Sequence, residues 1–209
     1  MKTSSPRIGV LGGSFNPPHF GHLLIASEAA WQLSLQRVLF VPAADPPHKR
    51  IDGGANAALR LRMTRTAVAG DERFDVEPVE IERGLRFTVD TLGALKEALP
   101  AADLWFIVGS DSLLAFRTWR NPAGILRLCR VAVALRPGDD RTRVAAAADE
   151  YGDRVVVLAS VGVAISSTEI RERVRRGRPI RYLVPPAVEG LIVSTGLYRE
   201  PGFLAGEPS

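Results

Sequence analysis

Short apolar runs rich in Val, Ile and Leu recur along the chain at RIGVLGG, RVLFVPA, DLWFIVGS, RVAVALR and RVVVLAS. None of them alternates cleanly between apolar and polar positions, which marks strands buried on both faces of a sheet. Between them lie stretches of helical period: HLLIASEAAWQLSL sets Leu23, Leu24, Ser27, Trp31 and Leu35 at helix spacing, and ALRLRMTRTAVAG and TVDTLGALKEAL behave alike. The alternation predicts an α/β fold with a doubly wound, Rossmann-like parallel sheet and a small C-terminal helical part. In that part, two short helices are expected on either side of GRPIRYLVPP, the second beginning near Pro186. The whole is expected to be a single domain, with an α/β core over about 7–165, a helical segment over about 166–199 and a loose tail over 200–209.

A sheet of this kind binds ligands beyond the carboxyl ends of its strands, where the strand order reverses. The segments at those ends are GGSFNPPHFGH, PAADPPHKR, GSDSLLAFRTW, RPGDD and ASVGVAISSTEIRE. They hold all three histidines and much of the glycine that a tight backbone needs, so the chemistry is expected to concentrate there.

Composition narrows the classes. The 209 residues are 46% hydrophobic and 24% charged, the balance of a folded globular chain. The longest apolar stretch, VVVLASVGVAI, falls short of the roughly 18 residues a membrane span requires, and the N-terminus lacks a signal-peptide pattern. A cytoplasmic protein without membrane contact is expected. One cysteine, Cys129, excludes an internal disulfide and a cysteine metal cage, and reads as a buried strand thiol. The net charge is +4, carried by 24 Arg and only Lys2, Lys49 and Lys96. That charge suits nucleic acid and nucleotide phosphates equally. The run RERVRRGRPIR, however, has no aromatic residue interleaved for base stacking and reads as a solvated helix face, so no nucleic-acid partner is expected.

In GVLGGSFNPPHFGH the glycines do not make a G-x-G-x-x-G dinucleotide fingerprint. Gly12 and Gly13 would permit a tight turn and, with Ser14 and Phe15, close approach to a ligand. Pro17 and Pro18 hold off the helix until near Phe20. His19 and His22, three apart on its first turn, face one side, and with free backbone N–H groups they make a donor array for phosphate. H-x-x-H without a carboxylate or cysteine is a poor zinc site, so no metal ligand set is expected from the protein.

GGSFNPPHFGH resembles the N-terminal motif of the nucleotidyltransferase superfamily, whose hallmark is H-x-G-H after a glycine turn. Together with VPAADPPHK, FTVDTL, VGSDSLLAFRTW, ISSTEIR and GLYR, in order over residues 7 to 199, it is similar to the bacterial nicotinate mononucleotide adenylyltransferases. Asn16 stands where that family often has Asp. The resemblance implies adenylyl transfer from ATP to nicotinate mononucleotide, giving deamido-NAD and pyrophosphate in NAD biosynthesis. The attacking phosphate is already anionic, so the chemistry asks for positioning and charge stabilisation rather than a general base.

On this reading His19, His22 and Arg171 are the catalytic residues, serving the triphosphate and the leaving pyrophosphate. ATP is expected to be held by Gly12, Gly13, Ser14 and Phe15, by Gly109 and Asp111, and by Ser166, Ser167 and Thr168, whose hydroxyls can also cap the following helix. Asp111 reads equally as a ribose ligand or as a helix N-cap. His48 and Lys49 are expected on the phosphate side of the mononucleotide. Thr88, opening a helix, is expected to meet the ring carboxylate, and Trp119 offers the ring a face or else belongs to the core. Mg2+ would enter bound to ATP phosphates. The shared motif leaves phosphopantetheine adenylyltransferase, a turnover-dead nucleotide sensor and a homo-oligomer open.

Overall fold

A computed structural model describes residues 5–44, 55–159 and 163–199. These residues form a six-stranded, all-parallel sheet in the order β3-β2-β1-β4-β5-β6. The strands are β1 (Arg7–Gly13), β2 (Arg37–Pro42), β3 (Phe74–Val76), β4 (Asp103–Gly109), β5 (Arg130–Ala134) and β6 (Val155–Val157). The order reverses between β1 and β4, which are hydrogen-bonded neighbours from Arg7↔Asp103 to Leu11↔Ile107. The continuous apolar runs have the cause expected of them: Val10, Val38, Phe40, Leu104, Ile107, Val131 and Val133 are all buried, because helices cover both faces. The edge strand β3 has no such run. Only three residues long, with Asp75 exposed, it carries too little pattern to be read as a strand.

The helices are α1 (Phe20–Gln32), α2 (Ala57–Val68), α3 (Val79–Arg83), α4 (Thr88–Ala98), α5 (Ser110–Leu114), α6 (Pro122–Leu128), α7 (Arg141–Asp149), α8 (Ser167–Arg175) and α9 (Pro186–Thr195). In α1 the face differs from the one predicted. Trp31 is 77% exposed, and the contact with the sheet is made by Ala26, Ala29 and Ala30. Small side chains let the helix lie close to the strands, and hydrophobicity weights such residues too lightly to reveal it. The two C-terminal helices form as expected. Ile170 of α8 and Val188 and Ile192 of α9 join Met63 of α2 in a core of their own, which seats the C-terminal segment on α2. Each such fully buried aliphatic side chain contributes about 1.5–3 kcal/mol. That packing brings the start of α8 against the start of α1.

Candidate active site

The carboxyl ends of β1, β4 and β5 open side by side at the reversal of strand order, and the loops leaving them converge. Gly12 and Gly13 are still strand, paired with Val41 and Pro42, and a Cβ on Gly12 would make only ordinary contact with the Phe106 ring at 3.6 Å. The turn itself is made by Phe15, whose backbone is left-handed at φ 46° although it is not glycine. Its buried ring holds it there, packed on Phe40 and edge-on to His22 at 5.0 Å. The glycines thus bring the strand to the cleft without making its turn.

His19 and His22 stack, with ring centroids 3.7 Å apart. His19 caps α1 in an extended conformation, and its backbone N–H donates to Nδ1 of His22 at 3.2 Å. An accepting Nδ1 places the His22 ring proton on Nε2, as assigned from this network. The two residues have the reciprocal arrangement of a capping box. Nδ1 of His19 nevertheless makes no properly formed hydrogen bond, because the His22 N–H goes to the His19 carbonyl at 2.9 Å. Gly21 makes the stack fit. A Cβ there would lie 2.9 Å from His19 Nδ1 and 3.0 Å from its Cε1, so the glycine of H-x-G-H vacates the space the first ring occupies.

The first-turn donors of α1 are less open than its sequence implies. The Phe20 N–H donates to the Leu183 carbonyl at 3.0 Å, and that of His22 is already used. Burial holds the His19 imidazole at a pKa of about 4, with Arg136 adding to the effect. Burial, then His19, then Arg136 hold His22 well below the usual range as well. The cleft thus presents two neutral imidazoles.

Arg136, just past β5, is the cation facing them. Its guanidinium lies against Gly109, where a Cβ would sit 3.2 Å from one of its nitrogens, and 3.7 Å from the Asp111 carboxylate. The turn that carries it is fixed by Asp139, which accepts from the Ser110 hydroxyl at 2.5 Å and from the Arg136 backbone N–H at 2.6 Å. Asp111 makes no side-chain cap on α5; its recorded partner is Arg136.

Beneath the β1 loop, two buried arginines hold carbonyls. Arg60 donates to Ser14 O at 2.7 Å and Ala43 O at 2.6 Å, and Arg171 donates to Asn16 O at 2.9 Å and to the Thr168 hydroxyl at 3.3 Å. The Asn16 side chain accepts from the Tyr198 hydroxyl at 2.7 Å, a role an aspartate could also fill. Ser166 caps α8 by accepting from the Glu169 N–H, while Ser167 donates to Pro17 O at 2.8 Å. The segment 165–171 and the histidine motif are thereby brought together. Arg171 is itself buried, only 9% exposed.

Farther along, Thr88 is half-buried at the start of α4, which no side chain caps. The half-buried Trp119 ring meets Phe106 edge-on and Phe116 at a tilt, so neither contact is a face-to-face stack. Arg120 lies over the Phe87 ring at 4.3 Å and ties the Trp119 loop to the start of α4. His48 and Lys49 lie outside the described residues.

Gly21 and Tyr198 stand within the H-x-G-H and GLYR motifs, and Arg136 and Asp139 within RPGDD, but none of the four was given a role from sequence, and Arg60 lies in no motif. Arg60 had a readable signal: it shares the spacing of Met63, Thr64 and Val68, the buried side of α2. Arg136 could be found only by knowing which strand it follows.

A family described as cytidylyltransferase-like matches residues 10–173. The chain is 41% identical over 198 residues to a protein of Synechococcus sp. (strain JA-3-3Ab) named probable nicotinate-nucleotide adenylyltransferase, covering 93% of this chain and 96% of that one. It is also 41% identical over 205 residues to a protein of the same name from Moorella thermoacetica, covering 95% and 94%. Among solved structures, the nicotinic acid mononucleotide adenylyltransferase of Plasmodium falciparum complexed with NaAD has the same fold. Its TM-score is 0.76 at 16% identity, over 92% of this chain and 97% of that one.

Proposed function

The chain belongs to the cytidylyltransferase-like family, and from that premise we propose that it is a nicotinate-nucleotide adenylyltransferase acting in NAD biosynthesis. The observation that carries this reading is the stacked pair of neutral imidazoles at the sheet's reversal point, facing Arg136. A phosphate oxygen of nicotinate mononucleotide attacks the α-phosphorus of ATP. That P–O bond forms as the bond from the α-phosphorus to the bridging oxygen breaks, and pyrophosphate leaves. No proton needs to be removed, and accordingly the donors that meet in this cleft are imidazoles and guanidiniums rather than a nucleophile and base. His22 offers its Nε2–H to the triphosphate, His19 supports it by stacking and through its backbone, and Arg136 neutralises charge on the departing phosphates. Arg171 holds the loop from below while adding its charge to the same region.

Among the described residues no group of three or more His, Cys, Asp or Glu could hold a metal ion. Those donors fit a magnesium ion bound mainly through ATP oxygens and water, where it would offset phosphate charge. Thr88 and the uncapped start of α4 meet the ring carboxylate, and Trp119 stacks on the ring. We read the whole chain as one nucleotidyltransferase domain.

The test is pyrophosphate release from ATP with nicotinate mononucleotide, nicotinamide mononucleotide or phosphopantetheine as acceptor. Turnover is expected with the first, giving deamido-NAD. Turnover with phosphopantetheine and with neither pyridine mononucleotide would overturn the assignment.

A further inference from the structure

Arg60 has no exposed surface, an unusual place for a guanidinium. One of its nitrogens holds the Ser14 carbonyl of the β1 loop, and another holds the Ala43 carbonyl at the exit of β2. The next residue, Ala44, provides a backbone hydrogen bond to Glu80 of α3. The Glu80 carboxylate accepts from the Thr91 hydroxyl at 2.8 Å, and Thr91, itself buried, lies one turn into α4 from Thr88. Burial pushes the Glu80 carboxyl above its ordinary range, against the pull of Thr91, Ala44 and the Arg60 charge. Arg60, the Ala43–Ala44 backbone, Glu80 and Thr91 thus form a connected polar path. At one end is the loop that leads to the histidines, and at the other is α4, whose start is assigned to the acceptor ring in the proposed function.

We propose that Arg60, Glu80 and Thr91 are positioning residues that order the ATP side and the mononucleotide side of the cleft together, so that each substrate tightens the binding of the other. None of the three needs to touch a substrate. Shifting the Ser14 carbonyl moves Arg60, which moves Ala43 and Ala44, and these are bonded through Glu80 to α4. Arg60 and Glu80 offer the path a charge-assisted rigidity that isolated loops lack. The inference rests on the adenylyltransferase reading for the identity of the two substrates.

The experiment measures binding of nicotinate mononucleotide by calorimetry with and without a non-hydrolysable ATP analogue, on the full chain, with turnover and thermal melting in parallel. Wild type is expected to bind the mononucleotide about tenfold more tightly when the analogue is present, within the usual range of coupling between sites. In Thr91→Val, which removes the hydroxyl at constant shape, that enhancement falls to about twofold or less while binding of either ligand alone changes little. Thr91→Ser, which keeps the hydroxyl, restores it. A general loss of packing would weaken each ligand alone and lower the melting temperature, with no selective loss of coupling. Equal enhancement in Thr91→Val and wild type, or none in wild type, would overturn the inference while leaving the reaction intact. A wild-type chain that forms no deamido-NAD would remove the reading on which it rests.

Discussion

Replacing Gly21 by alanine separates packing from catalysis. On helical propensity alone the change should stabilise α1 by roughly 0.5–1 kcal/mol. The new Cβ, however, would sit 2.9 and 3.0 Å from the His19 ring, against about 3.5–4.0 Å for a relaxed contact. The ring must therefore move by about half an ångström or more. It cannot simply slide away, because His22 is stacked 3.7 Å from it. Overpacking of this kind costs about 1–3 kcal/mol, so the net change should be a destabilisation of about 0–2.5 kcal/mol. Turnover should suffer more: a displacement of this order in a positioned group lowers kcat by about 10- to 100-fold, or about 1.4–2.7 kcal/mol in the barrier. The assay is steady-state pyrophosphate release with melting curves measured alongside, and Gly93→Ala is the control. Gly93 lies inside α4, and nothing stands within 4 Å of a Cβ placed there. The control should melt about 1–4 °C higher and keep its kcat. Gly21→Ala retaining kcat within about twofold would refute the claim that this glycine sets the ring's position.

His22→Ala is expected to lower kcat by about two orders of magnitude, as loss of a donor to transition-state charge does, and near-normal turnover would reject that role. Trp119→Ala should raise KM for nicotinate mononucleotide and spare that for ATP, whereas equal effects on both would assign the ring to packing. The His19 imidazole, followed by NMR, should titrate near pH 4 in the free protein and higher with ATP bound; a free midpoint at 6.5 or above would contradict its burial. Because the folded chain binds that proton less readily than the unfolded one, the associated stability, about 3 kcal/mol, is present above pH 6.5 and lost as pH falls toward 4. Urea titrations across that window check the sign.

How much of this could be read from the chain depended on the range of the interactions. Strands buried on both faces announce themselves as unbroken apolar runs, and four of the five read this way are central or next to the centre of the sheet. The loops at their carboxyl ends followed from topology alone. Contacts across long separations did not: Tyr198 and Asn16 are 182 positions apart, and nothing local to either names the other. Arg60 and Arg136 were hidden for a different reason. Among 24 arginines, identity carries little information until helix phase or strand order says which of them turn inward. The H-x-G-H glycine was readable as motif but not as mechanism, since its reason is the adjacent ring rather than a backbone angle.

The arginines also divide their labour in a way that bears on binding. Arg60 and Arg171 direct guanidinium donors at main-chain carbonyls and so fix the β1 loop. Their charge remains, and a positive field around a low-dielectric cleft favours an anion before any direct contact forms. Arg136 adds to that field from the open side and helps keep both imidazoles neutral. When a triphosphate arrives its own charge opposes that effect, so the same rings become better proton acceptors and stronger donors to phosphate. The two imidazoles therefore add positive character to the arginines' field only when the anion is present, and the upward move of the His19 midpoint on ATP binding is the measurable form of that gain.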